Sequence, residues 1–348
     1  LASPVSDIYL RLQLVRGGAD VKRLAFKIKD SDVSLSGSIR NWDKTPAINL
    51  KLFSSQLDID LLIPKGERSP VRDFLEDLAA TSRLAATVNI DRGLYKSLTI
   101  RDLSSQVNIR DGMVVLDNLA GHVEGGTIDG RLKVRLPKLK PADVQVSFQI
   151  AGMPYGKIVH LIDEQQVVTG TLSATGTLQG NGRDPQGILH TLNGKINLHI
   201  VRGHIQKARI VPKILVILNL PALLQGKVDL AKEGLPFDKA SVTLSITNGF
   251  MTTENFLMDS PIIKITGAGS YDMTRDQLNA VVVTSPLGSY TKLLQSIPLF
   301  GKLFAGERQG FTTAFFEVKG SFKDPQVNYM PLRSFGTGVT GLAHLAFD

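Results

Sequence analysis

The sequence predicts a mainly-β chain, built as one long antiparallel sheet with a few short amphipathic helices. Three observations carry this. Roughly sixteen segments alternate apolar and polar residues with a period of two, the signature of strands that bury one face. Turn-forming residues such as Asp111-Gly112, Gly125-Gly126 and Thr247-Asn248-Gly249 separate those segments. Only 6% of residues are aromatic, so the apolar faces are mainly aliphatic.

Taken in order, residues 32–39 alternate Val33, Leu35, Gly37 and Ile39 with serines. After a turn at 41–46 come Ile48, Leu50 and Leu52, then Leu57, Ile59 and Leu61 between Asp58 and Asp60. Ser69-Pro70 starts a helix near 69–84, with Val71, Phe74, Leu75, Leu78 and Leu84 near helical spacing and Glu76 and Asp77 on the other side. Residues 86–150 return to strands; in 131–136, Arg131, Lys133 and Arg135 oppose Leu132, Val134 and Leu136. A short helix is expected at 155–164.

Residues 167–205 form the unit around which the chain is organised. A Thr- and Gly-rich strand near 169–179 is broken by Gly180 and Gly182. Asp184-Pro185 then supplies an N-cap acceptor and a proline at the first helical position. Ile188, Leu189 and Leu192 give that helix an apolar side, and a strand follows with Ile196, Leu198 and Ile200 on one face. The segment 206–227 reads as an apolar helix limited by Pro212 and Pro221. Strands follow near 242–246, 250–258, 262–271 and 278–284. Two amphipathic helical pieces, split at Pro298, occupy 287–306, with Leu293, Leu294, Ile297, Leu299, Phe300, Leu303 and Phe304 apolar. Strands at 311–322 and 326–330 and the start of a helix at 337–347 complete the chain. Strand-and-turn units recur at Val33, Thr169 and Phe316, the last two followed by Asp184-Pro185 and Asp324-Pro325, as iterated strand addition without a fixed period.

Composition bounds the function. With 43% hydrophobic and 21% charged residues over 348 positions, the chain is globular. The net charge of +8 is spread along the chain; it reads as a solvated face, or as contact with an anionic surface. The absence of cysteine excludes disulfides, thiolate metal ligands and a thiol nucleophile, and suits an oxidising compartment. The longest apolar run, 214–224, is interrupted by Asn219 and Pro221 and falls short of the roughly 20 residues needed to span a bilayer. With Leu1 first and no signal peptide, the sequence is expected to be a piece of a longer polypeptide.

Several motifs fail on inspection. Gly336, Gly338 and Gly341 match G-x-G-x-x-G, but no βαβ unit surrounds them. His199 and His204 have opposite strand parity, which does not suit a metal pair, so no metal or cofactor is expected. Asp58 and Asp60 share a strand face and read as solvated. Neither G-x-S-x-G nor H-E-x-x-H occurs, and basic residues without interleaved aromatics argue against nucleic acid.

Sixteen antiparallel strands about 4.8 Å apart make a sheet about 75 Å long, which must close, pair with a second sheet or curl into a trough. A sandwich core usually uses more aromatics than this chain has, and a smooth aliphatic trough suits an aliphatic ligand. Composition alone leaves trough and filled core both open.

Four stretches resemble the AsmA-like superfamily of Gram-negative envelope proteins, the AsmA, TamB and YhdP type. They are Gly37-Ser-Ile with residues 46–52 and 57–60; residues 98–103, 109–112 and 125–130; the central unit 167–205; and residues 246–249 through Pro261, 267–269, Leu278, 297–301 and 318–325. No single one is specific; their succession over most of the chain is. The resemblance implies a curled antiparallel sheet with an open, taco-like hydrophobic groove. It implies a periplasmic body tethered to the inner membrane by a segment absent from this sequence, and phospholipid transport toward the outer membrane.

On this reading residues 1–165 carry the N-terminal part of the groove sheet. Residues 166–348 form a C-terminal module with helices near 185–193, 206–224 and 288–305. The expected groove lining is Val33, Leu35, Leu50, Leu52 and Ile59, then Val88, Ile90, Leu132, Val134, Val146 and Phe148. In the C-terminal part it is Ile196, Leu198, Val242, Leu244, Ile263, Ile265, Val282, Phe316 and Val318. Plain core packing is the competing reading for each. Helices at 206–227 and 287–306 cap or plug the groove, or face a membrane or partner through Leu293, Leu294, Ile297, Phe300, Leu303 and Phe304. Arg131, Lys133, Arg135, Lys138 and Lys140 read as solvated, or else meet lipid headgroups. The expected partners are phospholipid, a membrane surface and other envelope proteins. The expected function is a lipid conduit without catalysis; the alternative is an assembly factor of the envelope that recruits proteins by strand addition.

Overall fold

A computed structural model describes residues 5–61, 70–137, 140–163, 167–218, 234–286 and 314–330. Its nineteen strands belong to one mixed sheet with few short helices, the fold class expected from the alternation. The residues group into two compact units: 1–153 with 175–192, and 154–174 with 193–348.

The first unit opens with β1 (Val5–Val15), β2 (Gly18–Ile28), β3 (Ser31–Arg40) and β4 (Ala47–Ser54), an antiparallel meander. The short β5 (Leu57–Asp58) and helix α1 (Pro70–Thr81) lead to β6 (Arg83–Tyr95). An antiparallel run follows: β7 (Leu98–Arg110), β8 (Met113–Val123), β9 (Gly126–Arg135) and β10 (Ala142–Pro154).

β4 and β5 pair with β6 in parallel, which departs from the expected all-antiparallel order. The connection carrying α1 is long enough to bring the chain back in the same direction, which a tight turn cannot do. Asp111 (φ 54°) and Gly112 (φ 74°) make the expected hairpin turn between β7 and β8. Left-handed residues also occur inside strands: Asp7, Asp102 and Asn118 sit where the register shifts in β1, β7 and β8. Such bulges bend the strands, and Asp and Asn tolerate this backbone better than other side chains. At Gly37 (φ 152°) a Cβ would lie 1.9 Å from the Asn49 carbonyl oxygen, so only glycine lets β3 and β4 approach there.

The later elements are α2 (Tyr155–Ile162), β11 (Val167–Val168), β12 (Thr171–Gly182), α3 (Pro185–His190), β13 (Asn193–Lys207) and α4 (Val211–Ile217). The cap of α3 is as the sequence predicts. Asp184 accepts a 2.6 Å hydrogen bond from the Gly187 N–H, and Pro185 begins the helix. Gly182 is required beneath it, since a Cβ there would meet the Ile188 nitrogen at 2.3 Å.

In the second unit β13 continues antiparallel into β14 (Leu235–Thr247), β15 (Phe250–Asp259), β16 (Ile263–Asp272), β17 (Gln277–Pro286), β18 (Ala314–Gly320) and β19 (Gln326–Met330). Asp276 ties the β16–β17 turn to the β18–β19 turn. It accepts from the Tyr271 hydroxyl (3.0 Å), the Phe322 N–H (3.0 Å) and the Ser321 hydroxyl.

Three sequence expectations are corrected. Residues 57–61 are not one strand: after Asp58 the chain turns into a 3₁₀ segment, Ile59–Leu61, because the Asp58 carboxylate accepts the Asp60 N–H at 3.0 Å. The helix near 69–84 stops at Thr81, and Leu84 is a strand residue of β6. The helix expected from 206 begins only at Val211, since β13 runs on to Lys207, and Pro212 falls in its first turn, where a proline is tolerated. The helix expected at 287–306 and that at 337–347 lie outside the described residues.

Candidate functional site

Residues opposite one another on neighbouring strands share a face of the sheet, so the register traces apolar rows across it. In the first unit one row runs Leu12, Val21, Gly37, Leu50, Ala86, Val107, Leu116, Leu132 and Val146, one residue from each of nine strands. Eight strand spacings make it about 38 Å long. A second row runs beside it from Leu14 through Ala19, Ile39, Ile48, Leu84, Ile109, Val114 and Val134 to Val144.

The first row is partly exposed along its length, although Val107 and Leu116 also pack against the cluster that includes Ala79 of α1. Val21, Leu50, Ala86, Val107, Leu116, Leu132 and Val146 are each only half-buried. The second row is covered where α1 lies on it: Ala79, Ile109, Val114, Leu136 and Ala142 form a buried cluster with Leu75 and Leu78 against it. A further cluster of Val33, Leu57 and Ile90 includes Phe26, Leu35, Leu52, Val88 and Leu103 at its margin. The open row therefore lies between two packed borders. Phe74, expected on the apolar side of α1, is instead 63% exposed; Leu75, Leu78 and Ala79 make the contact.

In the second unit the corresponding face is filled. The row Ile200, Ala240, Met258, Ile265, Thr284 and Ala314 is buried throughout, and the neighbouring row places Val282 beside a fully buried Phe316. Phe316 and Tyr329 pack edge to face with ring centroids 6.0 Å apart. At one end of the strands Ile196 with Leu244 and Leu198 with Val242 remain half-buried pairs, and Met251, Tyr271 and Leu278 form a half-buried row there.

The expected lining residues thus divide. Leu35, Leu50, Leu52, Val88, Leu132, Val134, Val146 and Phe148 are half-buried in the first unit, as are Ile196, Leu198, Val242 and Leu244 in the second. Val33, Ile90, Ile263, Ile265, Val282, Phe316 and Val318 are buried. Ile59 is half-buried in its 3₁₀ turn, where its Cδ1 would lie 2.8 Å from a Cβ on Gly93. Leu293, Leu294, Ile297, Phe300, Leu303 and Phe304 lie outside the described residues. The lining expectation omitted β1 and β2 altogether, although Ile8, Leu10, Leu12 and Leu14 alternate as regularly as residues 33–39. Leu10 pairs with Leu24 and Leu12 with Val21, which carries the apolar face to β1.

The opposite face is polar. Lys51, Thr87, Gln106 and Gln145 are exposed, and Arg131 pairs with Asp117 while Arg135 is exposed. Lys138 lies outside the described residues. A polar hollow of about 760 Å³ is lined by Asp91, Arg92, Arg101, Asp102, His122 and Glu124. Among the described residues no three metal-ligating side chains are grouped; His199 and His204 are both exposed. Burial, then the Asp276 hydrogen bond, pushes the Tyr271 hydroxyl up to about 12, and burial raises Tyr329. The Ser321 hydroxyl holds the Asp276 carboxyl below its usual range. Tyr271 and Asp276 tie neighbouring turns together through their hydrogen bonds.

A long and mostly antiparallel sheet with few short helices and an aliphatic row is the arrangement expected of the AsmA-like superfamily of envelope lipid-transfer proteins, and a family-model match places the chain there. The chain belongs to the YhdP family, whose model, described as YhdP protein, matches residues 11–327. No curated protein and no solved structure matches the chain.

Proposed function

We propose that the chain is a section of a periplasmic lipid conduit that carries phospholipid between the inner and outer membranes. Acyl chains lie along the open row of the first unit. The observation that supports this most is the partial exposure of Leu50, Val107, Leu116, Leu132 and Val146 in one unbroken row. Keeping each acyl CH₂ from water is worth about 0.8 kcal/mol, so a chain of about 15 carbons crossing an aqueous gap needs roughly 12 kcal/mol of shelter. A continuous aliphatic surface supplies that without a catalytic residue. Family membership supports the same reading. Attachment to the inner membrane, by a segment outside this sequence, belongs to the proposal. Among the described residues no helix is long and apolar enough to cross a membrane.

One observation favours a second reading, an envelope assembly factor. β1 is an exposed strand whose Ile8 and Leu14 are each 67% exposed, a surface suited to strand addition. Native mass spectrometry separates the two. Purified protein is expected to carry phospholipid, and Leu132→Glu with Val107→Glu is expected to lose most of it while keeping its circular dichroism spectrum. Repeated preparations free of phospholipid would count against the conduit.

A further inference from the structure

Within the second unit, α4 is held at both ends of its first turn by cations. Arg209, just before the helix, donates from Nε to the Asp163 carboxylate at 2.7 Å, again to that carboxylate from one terminal nitrogen, and to the Lys323 carbonyl from the other. Lys213 donates to the Asp324 carboxylate at 2.9 Å and to the Pro325 carbonyl at 2.7 Å. Asp163 closes α2, and residues 323–325 form the turn between β18 and β19. The two clamps therefore join three elements far apart in sequence.

The helix packs against β19. On that strand Gln326 and Asn328 are exposed while Val327 and Tyr329 are half-buried, so α4 lies on the Val327 and Tyr329 face. By register that face continues through Val318 and Phe316, both fully buried. α4 itself buries Ile214, Leu215 and Leu218 completely or nearly so, while Val216 is 68% exposed. The Tyr329 hydroxyl beneath is buried without a hydrogen-bond partner.

We propose that α4 is a latched plug: an amphipathic cover on the apolar face of the second unit, kept in place by the Arg209 and Lys213 clamps and displaced when they open. This rests on the conduit reading only for what enters afterward. The latch uses charge because charge can be released without dismantling the sheet. Asp324 is 91% and Lys213 44% exposed, so that clamp is open to competition from solvent ions or an anionic headgroup. The Arg209–Asp163 pair, at 22% and 12%, is the better shielded half.

The absence of cysteine makes the test direct. A single Val318→Cys is placed under the plug, and the rate of labelling by a water-soluble maleimide is measured. Arg209→Gln with Lys213→Gln is expected to raise that rate roughly five- to thirty-fold, the population change that loss of two such pairs produces. Molar salt, which shortens the screening length to about 3 Å, is expected to raise it in the parent and to add little in the double variant. A separate Val283→Cys, buried on the opposite face of the same unit's sheet, reports unfolding of that unit and is expected to stay unlabelled. An unchanged rate at 318, or a rise matched at 283, overturns the latch. If the rate rises at 318 alone, the latch stands; co-purified lipid then tests the conduit separately, because labelling needs none.

Discussion

The two units begin from the same kind of sequence and end differently. Both are runs of aliphatic residues alternating with polar ones on mostly antiparallel strands. In the first, Leu116, Leu132 and Val146 stay half-open to solvent; in the second, Ile265, Phe316 and Val318 are sealed. The difference lies in what each sheet is given to cover it. The first has α1, whose buried cluster is joined by Val107 and Leu116 of the row and leaves them only partly buried. The second has α4 packed against β19 and a large aromatic, Phe316, in the row. Period-two alternation therefore specifies which residues share a face and says nothing of whether that face is filled.

The largest effect that separates the units is on stability. Phe316→Ala removes a fully buried ring and is expected to cost about 3–5 kcal/mol. Leu132→Ala, which removes methyls from a partly exposed side chain, is expected to cost about 1 kcal/mol. Denaturant unfolding of the two variants measures both. Equal losses would break the comparison, because they would mean that the first face is as filled as the second.

A smaller effect sharpens it through pH. Asp276 has a folded-state pKa below the ordinary 3.8, first because the Ser321 hydroxyl bonds to it and then through the Phe322 N–H. The folded form thus binds the proton less readily than the unfolded chain. The contribution of this tie is fully present above that ordinary value and is lost as pH falls through the lower, folded one. Melting of the second unit is expected to drop as pH falls below about 4, and Asp276→Asn to flatten that drop. The reporter is the ring environment of Tyr271 and Phe322, whose centroids stand 5.6 Å apart. A drop of the same size in the Asn variant would assign the acid sensitivity to other carboxylates.

Much of the fold was legible because its determinants are local. The Asp184-Pro185 cap, the Asp111-Gly112 turn and the strand faces at 131–136 and 196–200 depend on neighbours in sequence and stand as expected. The parallel pairing of β4 with β6 was not legible in the same way, because alternation does not carry strand direction. The triplet Leu57, Ile59, Leu61 fits a strand and a tight turn equally, and the Asp58 carboxylate decided it. Phe74 followed helical spacing but not the contact, since Leu75, Leu78 and Ala79 point α1 at the sheet. β1 and β2 were legible: Ile8, Leu10, Leu12 and Leu14 carry the signal. The division of lining residues into half-open and buried was not legible, because it is set by α1, α4 and Phe316 at long range.

The most direct test sets two adjacent residues against each other. Leu132 and Lys133 are neighbours on β9 that face opposite sides of the sheet. A photo-reactive benzoyl-phenylalanine is placed at each in turn in living cells, and the adducts are identified by mass spectrometry. The conduit account expects phospholipid adducts at 132 and none at 133. Protein adducts alone at 132, or lipid adducts equally at both positions, would contradict it.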